Sequence, residues 1–201
     1  MLLNEQDSQL ILIDYQDRLM PSLHEGPSCI QNALRLTKTA SAMHIPIWGV
    51  EQNPEKLGPN HAELKSYCSK TLNKMSFSAV ADGLLDWLVP PQRPKSGNAR
   101  SLPKHLQKND DAPQMQRPSL VLAGCEAHVC LMQTALELLD NEIEVWVVTD
   151  ACTSRTERNR DAAFDRLAGS GAELLTTEMV LFEWLKNADH PSFKLVQSLI
   201  K

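Results

Sequence analysis

No apolar run in these 201 residues approaches the roughly 20 that a helix needs to cross a bilayer. The opening "MLLNEQDSQL" lacks the basic, apolar, small-residue order of a secretory leader. A basic excess is missing as well. Twenty Lys and Arg against 25 Asp and Glu leave a formal charge of -5, which argues against a phosphate-binding surface and hence against nucleic acid as a partner. Five cysteines (Cys29, Cys68, Cys125, Cys130 and Cys152) form no Cys-x-x-Cys pair and no zinc-like spacing with histidine. An odd, scattered set reads as reduced thiols in a cytoplasmic protein, most of them small buried fillers. There is no internal repeat. What remains, 42% apolar residues and mixed charge, suits one soluble domain over residues 1–201, with no membrane partner.

Along the chain, short apolar runs alternate with helical patterns. "SQLILID", "PIWGVEQ", "SLVLAG", "EIEVWVVTDA" and "AELLTT" read as strands, with a weaker one around "SKTLNKMSF". "CIQNALRLTKTASAMHI", "DGLLDWLV", "CLMQTALELLD", "RTERNRDAAFDRLAGSG", "MVLFEWLKN" and "SFKLVQSLI" read as helices. Alternation of this kind predicts a three-layer α/β/α sandwich with a mostly parallel, Rossmann-like open sheet. Ligands in such sheets bind beyond the carboxyl ends of the strands, which singles out Asp14, the neighbourhood of Gln52, the segment after Leu122, and Asp150. From about 90 to 118 the chain is rich in Pro, Lys, Arg, Asn and Gln and almost empty of large apolar residues, so a polar surface loop is expected there.

Three residues are candidates for reactive chemistry. Cys130 falls in the first turn expected after the "SLVLAG" strand, where unpaired N–H groups and the helix dipole favour an anion. A thiol so placed is expected to have a depressed pKa, and the same N–H groups can hold an oxyanion. A buried structural cysteine is the competing reading. Asp14 closes the first strand after four apolar residues, where a carboxylate must be paired or hydrogen-bonded, unless it is a partly exposed cap. Lys74 lies in an otherwise apolar or small stretch, either as the cation a thiolate needs or as a snorkelling surface lysine.

Four stretches then share an order and spacing: "ILIDYQDRLM", "KMSFSA", "GCEAHVCLMQTALEL" and "VVTDACTSR". In these the sequence resembles the isochorismatase-like superfamily of cysteine hydrolases, from the first strand to Leu175, and "VEQNPEKLGP" resembles its isochorismatase-domain-containing subgroup. The resemblance implies Asp14 as general base, Lys74 as the cationic triad member and Cys130 as nucleophile. It also implies a cis peptide between Cys125 and Glu126, with the N–H groups of Glu126 and Cys130 as an oxyanion hole. The expected activity is amidase-like cleavage of a small C–N substrate through a thioester, by a homo-oligomer, dimer or larger. A catalytically silent member acting as a binding or scaffold protein is the alternative.

Two departures shape the substrate expectation. The nicotinamidase metal pair Asp-x-His is replaced by Glu51, Gln52 and Asn53, with His61 the only histidine nearby, so neither metal nor cofactor is expected and His61 is assigned to solvent. True isochorismatases lack the cysteine, so Cys130 favours the amidase branch. Gln16, Leu19, Gln52 and Phe77 are the candidate pocket residues, each with a capping or core alternative. His128, two residues before Cys130, is assigned to the surface or a subunit contact. Ser154 and Arg155 stay open between substrate carboxylate binding, an interface, and a helix cap with its first turn.

Overall fold

Six strands form one sheet: β1 (Ser8–Ile13), β2 (Ile47–Gln52), β3 (Lys70–Lys74), β4 (Ser119–Cys125), β5 (Glu144–Thr153) and β6 (Glu173–Leu175). The computed structural model describes residues 1–88 and 115–201, so nearly all of the expected polar loop at about 90–118 lies outside the described residues. All strand pairings are parallel, in the order β3-β2-β1-β4-β5-β6. Successive side chains of a strand point to opposite faces, so each central run feeds two cores. Leu10 and Leu12 of β1, Val121 and Ala123 of β4, and Trp146 and Val148 of β5 pack on one face. Ile11 and Ile13, Leu120 and Leu122, and Val145 and Val147 pack on the other. Burial on both faces is why these strands are continuously apolar rather than alternating.

Helices cover both faces, as the sequence leads one to expect. On the first lie α1 (Gly26–Ala42), α3 (Ala62–Tyr67), α7 (Thr177–Leu185) and α8 (Phe193–Ile200). On the second lie α4 (Leu85–Leu88), α5 (Met132–Asp140) and α6 (Glu157–Gly169). Between β2 and α3, α2 (Pro54–Leu57) is a single turn with no buried residue. Spacing explains the docking of α1, which turns Cys29, Ala33, Leu36 and Ala40 inward at steps of three and four. Thr156 and Thr176 fix where α6 and α7 begin, each accepting the N–H three residues on. The stretch "PEKLGPNHAELKSYC" carries α2 and α3, neither expected from periodicity; α3 buries a single side chain, Leu64, too little for a periodic signal.

From β1 the chain winds outward through β2 and β3, and from β4 through β5 and β6. The loops after β1 and β4 therefore diverge at the carboxyl ends where strand order reverses, the place where such sheets form a ligand crevice. The two strands approach closely there. A Cβ added to Gly124 (φ 152°) would stand 2.2 Å from the carbonyl oxygen of Ile13, the residue before Asp14. Gly124→Ala is expected to lower stability by on the order of 3 kcal/mol, read as a fall in the urea midpoint; an unchanged midpoint would contradict this packing.

Candidate active site

Asp14 follows β1 with its backbone in the left-handed region (φ 55°), a conformation aspartate tolerates better than most residues. Its N–H donates to the Val50 carbonyl at 3.1 Å. Lys74 ends β3, two strands away and opposite Gln52 in register. Both side chains are sealed from solvent, and Lys74 Nζ donates to Asp14 Oδ2 at 2.9 Å. Lys74 also donates to Gln52 Oε1 at 2.6 Å and to the Ser76 carbonyl at 3.3 Å, so its three protons meet three acceptors. Asp14 Oδ1 is buried and takes no other hydrogen bond among the described residues. The Cys130 thiol neighbours this pair closely enough for both charges to act on it, and its Sγ lies 3.9 Å from Gln52 Oε1.

Cys130 sits in a π-helical turn, Ala127–Leu131, leading into α5. The carbonyl of Glu126 accepts the N–H groups of Val129 and Leu131 and passes over that of Cys130. The Cys125–Glu126 peptide is cis. The expected depression of the thiol pKa is not what this environment produces. Burial, then the neighbouring Asp14 charge, push Cys130 up to about 12, against the opposing pull of Lys74. Burial likewise raises Asp14 above the ordinary carboxylate value, although Lys74 and Cys130 act to lower it. The resting state is therefore a neutral thiol beside an ammonium–carboxylate pair, and the carboxylate is a stronger base than an exposed one.

The surroundings lock this geometry. Thr134, one turn after Cys130, accepts the Ala79 N–H at 3.0 Å, and Ser78 Oγ donates to Glu137 at 2.6 Å. These contacts tie the segment that follows Lys74 to α5, which continues from the turn carrying the thiol. The "SA" and "TA" pairs in the sequence are their only trace. Glu126 forms a two-point ion pair with Arg155, Nη2 to Oε1 at 2.7 Å and Nε to Oε2 at 3.1 Å, and also accepts the Arg155 N–H. Arg155 thus anchors the β4 loop to the β5 loop within one chain, while Thr156 makes the helix cap. Burial pushes the Glu126 carboxyl up, but Arg155 outweighs it and leaves the carboxyl below its ordinary value. The pair's contribution is present above about 4.5 and lost as pH falls through the lowered value. Arg155→Ala is expected to reduce the urea midpoint at neutral pH, with the difference closing in acid; a pH-independent difference would contradict it.

Other sequence candidates fall elsewhere. Gln16 does not present its amide to the crevice: Oε1 accepts the Gln52 N–H, while Nε2 donates to the carbonyls of Gln52 and Gly58. Leu19 packs into the core beneath α1, on the opposite face from the core holding Cys130. Phe77 is 54% exposed, on the segment between Ser76 and Ser78 that crosses from Lys74 towards α5, so it is no core residue. Asp150 lies inside β5 and caps α7 through Thr177. His128 is half-buried between Ser154 Oγ at 2.9 Å and Asn159 Nδ2 at 3.3 Å, an internal tie rather than a free surface group. His61 is likewise half-buried, with Nδ1 enclosed. Glu51 is spent on the Asn60 N–H and Lys65. Among the described residues no three His, Cys, Asp or Glu side chains converge as metal ligands would.

Fold and site together define a doubly wound α/β protein with a thiol, a carboxylate and an ammonium gathered where its strand order reverses. The isochorismatase domain matches residues 8–179, and the chain belongs to that family, as its motifs imply. It is 35% identical to isochorismatase domain-containing protein 2B of Mus musculus, over 98% of this chain and 82% of the mouse protein. Among solved structures it resembles the MAR1 ribonuclease of Caenorhabditis elegans (29% identity, TM-score 0.82, 100% of this chain and 92% of that one). The YcaC gene product of Escherichia coli, described as an octameric hydrolase of unknown specificity, shares the fold at 21% identity and TM-score 0.78 (99% and 90% covered). Family membership supports a hydrolase role. No helix among the described residues is long and apolar enough to cross a membrane.

Proposed function

We propose that the protein is a metal-independent cysteine hydrolase that cleaves a small amide-like C–N bond through a thioester. The observation that carries this reading is the buried Lys74–Asp14 pair at 2.9 Å with the Cys130 thiol beside it and Asp14 Oδ1 left open. Asp14 takes the thiol proton as Cys130 attacks the acyl carbon. No net charge is created, because Asp14 becomes neutral as sulfur gains its electron pair, and Lys74 stays on the other oxygen of Asp14. The tetrahedral oxyanion rests on the N–H groups of Glu126 and Cys130. Protonated Asp14 then passes its proton to the departing amine, leaving a thioester. Water gives a proton to Asp14 as it adds to the thioester; collapse releases the acid, and the expelled sulfur takes that proton back from Asp14 to restore the thiol.

The C. elegans neighbour is described as a ribonuclease; the net charge of -5 here weighs against a polyanionic substrate. Homo-oligomeric assembly belongs to the same proposal, supported by Met179 and Phe182 of α7, each 46% exposed. A panel of small amides, ureides and carbamoyl compounds tests the reaction by ammonia release. At least one is expected to be turned over; binding without turnover across the panel would favour a silent binding protein.

A further inference from the structure

The site contains a fourth polar side chain whose orientation is fully determined. Lysine can only donate and a carbonyl can only accept. Gln52 stands between one of each: its Oε1 accepts from Lys74 at 2.6 Å, and its Nε2 donates to the Met75 carbonyl at 2.8 Å. The amide cannot flip without placing NH2 against NH3+ and oxygen against oxygen. Its backbone is held as firmly, since Gln16 accepts the Gln52 N–H and donates to the Gln52 carbonyl. The result is a fixed oxygen that touches the ammonium and lies 3.9 Å from the Cys130 sulfur. Without it, the ammonium would keep only Asp14 Oδ2 at 2.9 Å and the longer contact to the Ser76 carbonyl at 3.3 Å.

We infer that Gln52 is the positioning residue of this site: its side-chain oxygen holds the Lys74 ammonium against the Cys130 sulfur, and Gln16 clamps Gln52 in that pose. The inference rests on Cys130 being the nucleophile. It follows that Lys74 acts on the sulfur by charge and offers no free N–H to substrate, its three protons being taken by Asp14, Gln52 and Ser76. Gln16, read from the sequence as a pocket residue, acts one step further back.

Acrylamide addition to Cys130, followed by peptide mass spectrometry against pH, tests this in wild type, Gln52→Met, Asp14→Asn and the double variant. Gln52→Met is expected to slow addition about tenfold wherever Asp14 is ionised. In the Asp14→Asn background the rate follows the thiol's own ionisation, and adding Gln52→Met should move that ionisation up by about one unit, as when a cation within ~4–6 Å is displaced. A merely structural role would lower the melting temperature and leave the ionisation in place. Should Gln52→Met fail to fold, Gln52→Leu, which also removes the oxygen that Lys74 donates to, is expected to move it the same way. A folded variant with wild-type rate and profile overturns the inference. If wild-type Cys130 reacts no faster than Cys68, or Asp14→Asn alone changes nothing, it is the nucleophile assignment that fails.

Discussion

Cys130→Ala is expected to remove turnover by a factor on the order of 10⁴ or more, because the whole of the proposed covalent route passes through one sulfur atom. Cys130→Ser should fare little better, since a hydroxyl holds its proton far more tightly than a thiol and Asp14 is only a carboxylate. Neither change should unfold the protein. The side chain is 6% exposed within a packed core, and losing one heavy atom there costs about 1 kcal/mol. The pairing of lost ammonia release with an unchanged circular dichroism spectrum is therefore the expected result. A Cys130→Ala protein retaining activity within tenfold of wild type would contradict the thioester route.

Lys74→Met has the largest expected effect on stability. Lys74 and Asp14 have side chains 0% and 1% exposed, so neither charge has water to fall back on. Removing one partner of a buried pair costs about 3–5 kcal/mol, because the other is left uncompensated. The loss should depend on pH in a definite sense. Without the ammonium that lowers it, the Asp14 carboxyl rises further above its ordinary 3.8. The folded state then holds a proton the unfolded state sheds, so the deficit grows as pH rises from about 4 through the new folded value. Urea unfolding at a series of pH values reads this directly. A deficit below about 1 kcal/mol and flat with pH would mean that the pair is not sealed as described.

How legible was this arrangement in the amino-acid order? The strands were, because burial on both faces writes runs such as "LILI" that need no context. Asp14 and Cys130 followed, since each stands where an apolar run gives way. The direction of the Cys130 shift did not follow. A helix start argues for a lowered thiol pKa, whereas the value of about 12 arises from burial and from Asp14, which is 116 positions away and adjacent only after folding. Gln16 and Gln52 illustrate a second limit. Both were visible as polar residues near strand ends, yet which one faces the thiol depends on amide orientations fixed by Met75, Gly58 and Lys74. The Glu126–Arg155 tie joins two loops that are neighbours only because β4 and β5 pair in parallel.

The central claim is that Asp14 and Cys130 share one proton. It is tested most directly by the pH dependence of acrylamide addition to Cys130 in wild type and Asp14→Asn. In wild type, Cys130 is expected to react ahead of the other four cysteines, with a rate that falls as acid protonates the raised Asp14 carboxyl. In Asp14→Asn that acid limb should vanish, replaced by the ionisation of the thiol itself at a value below about 12, since the carboxylate that helped raise it is gone. Superimposable profiles in the two proteins, or a Cys130 no more reactive than half-buried Cys68, would contradict the account.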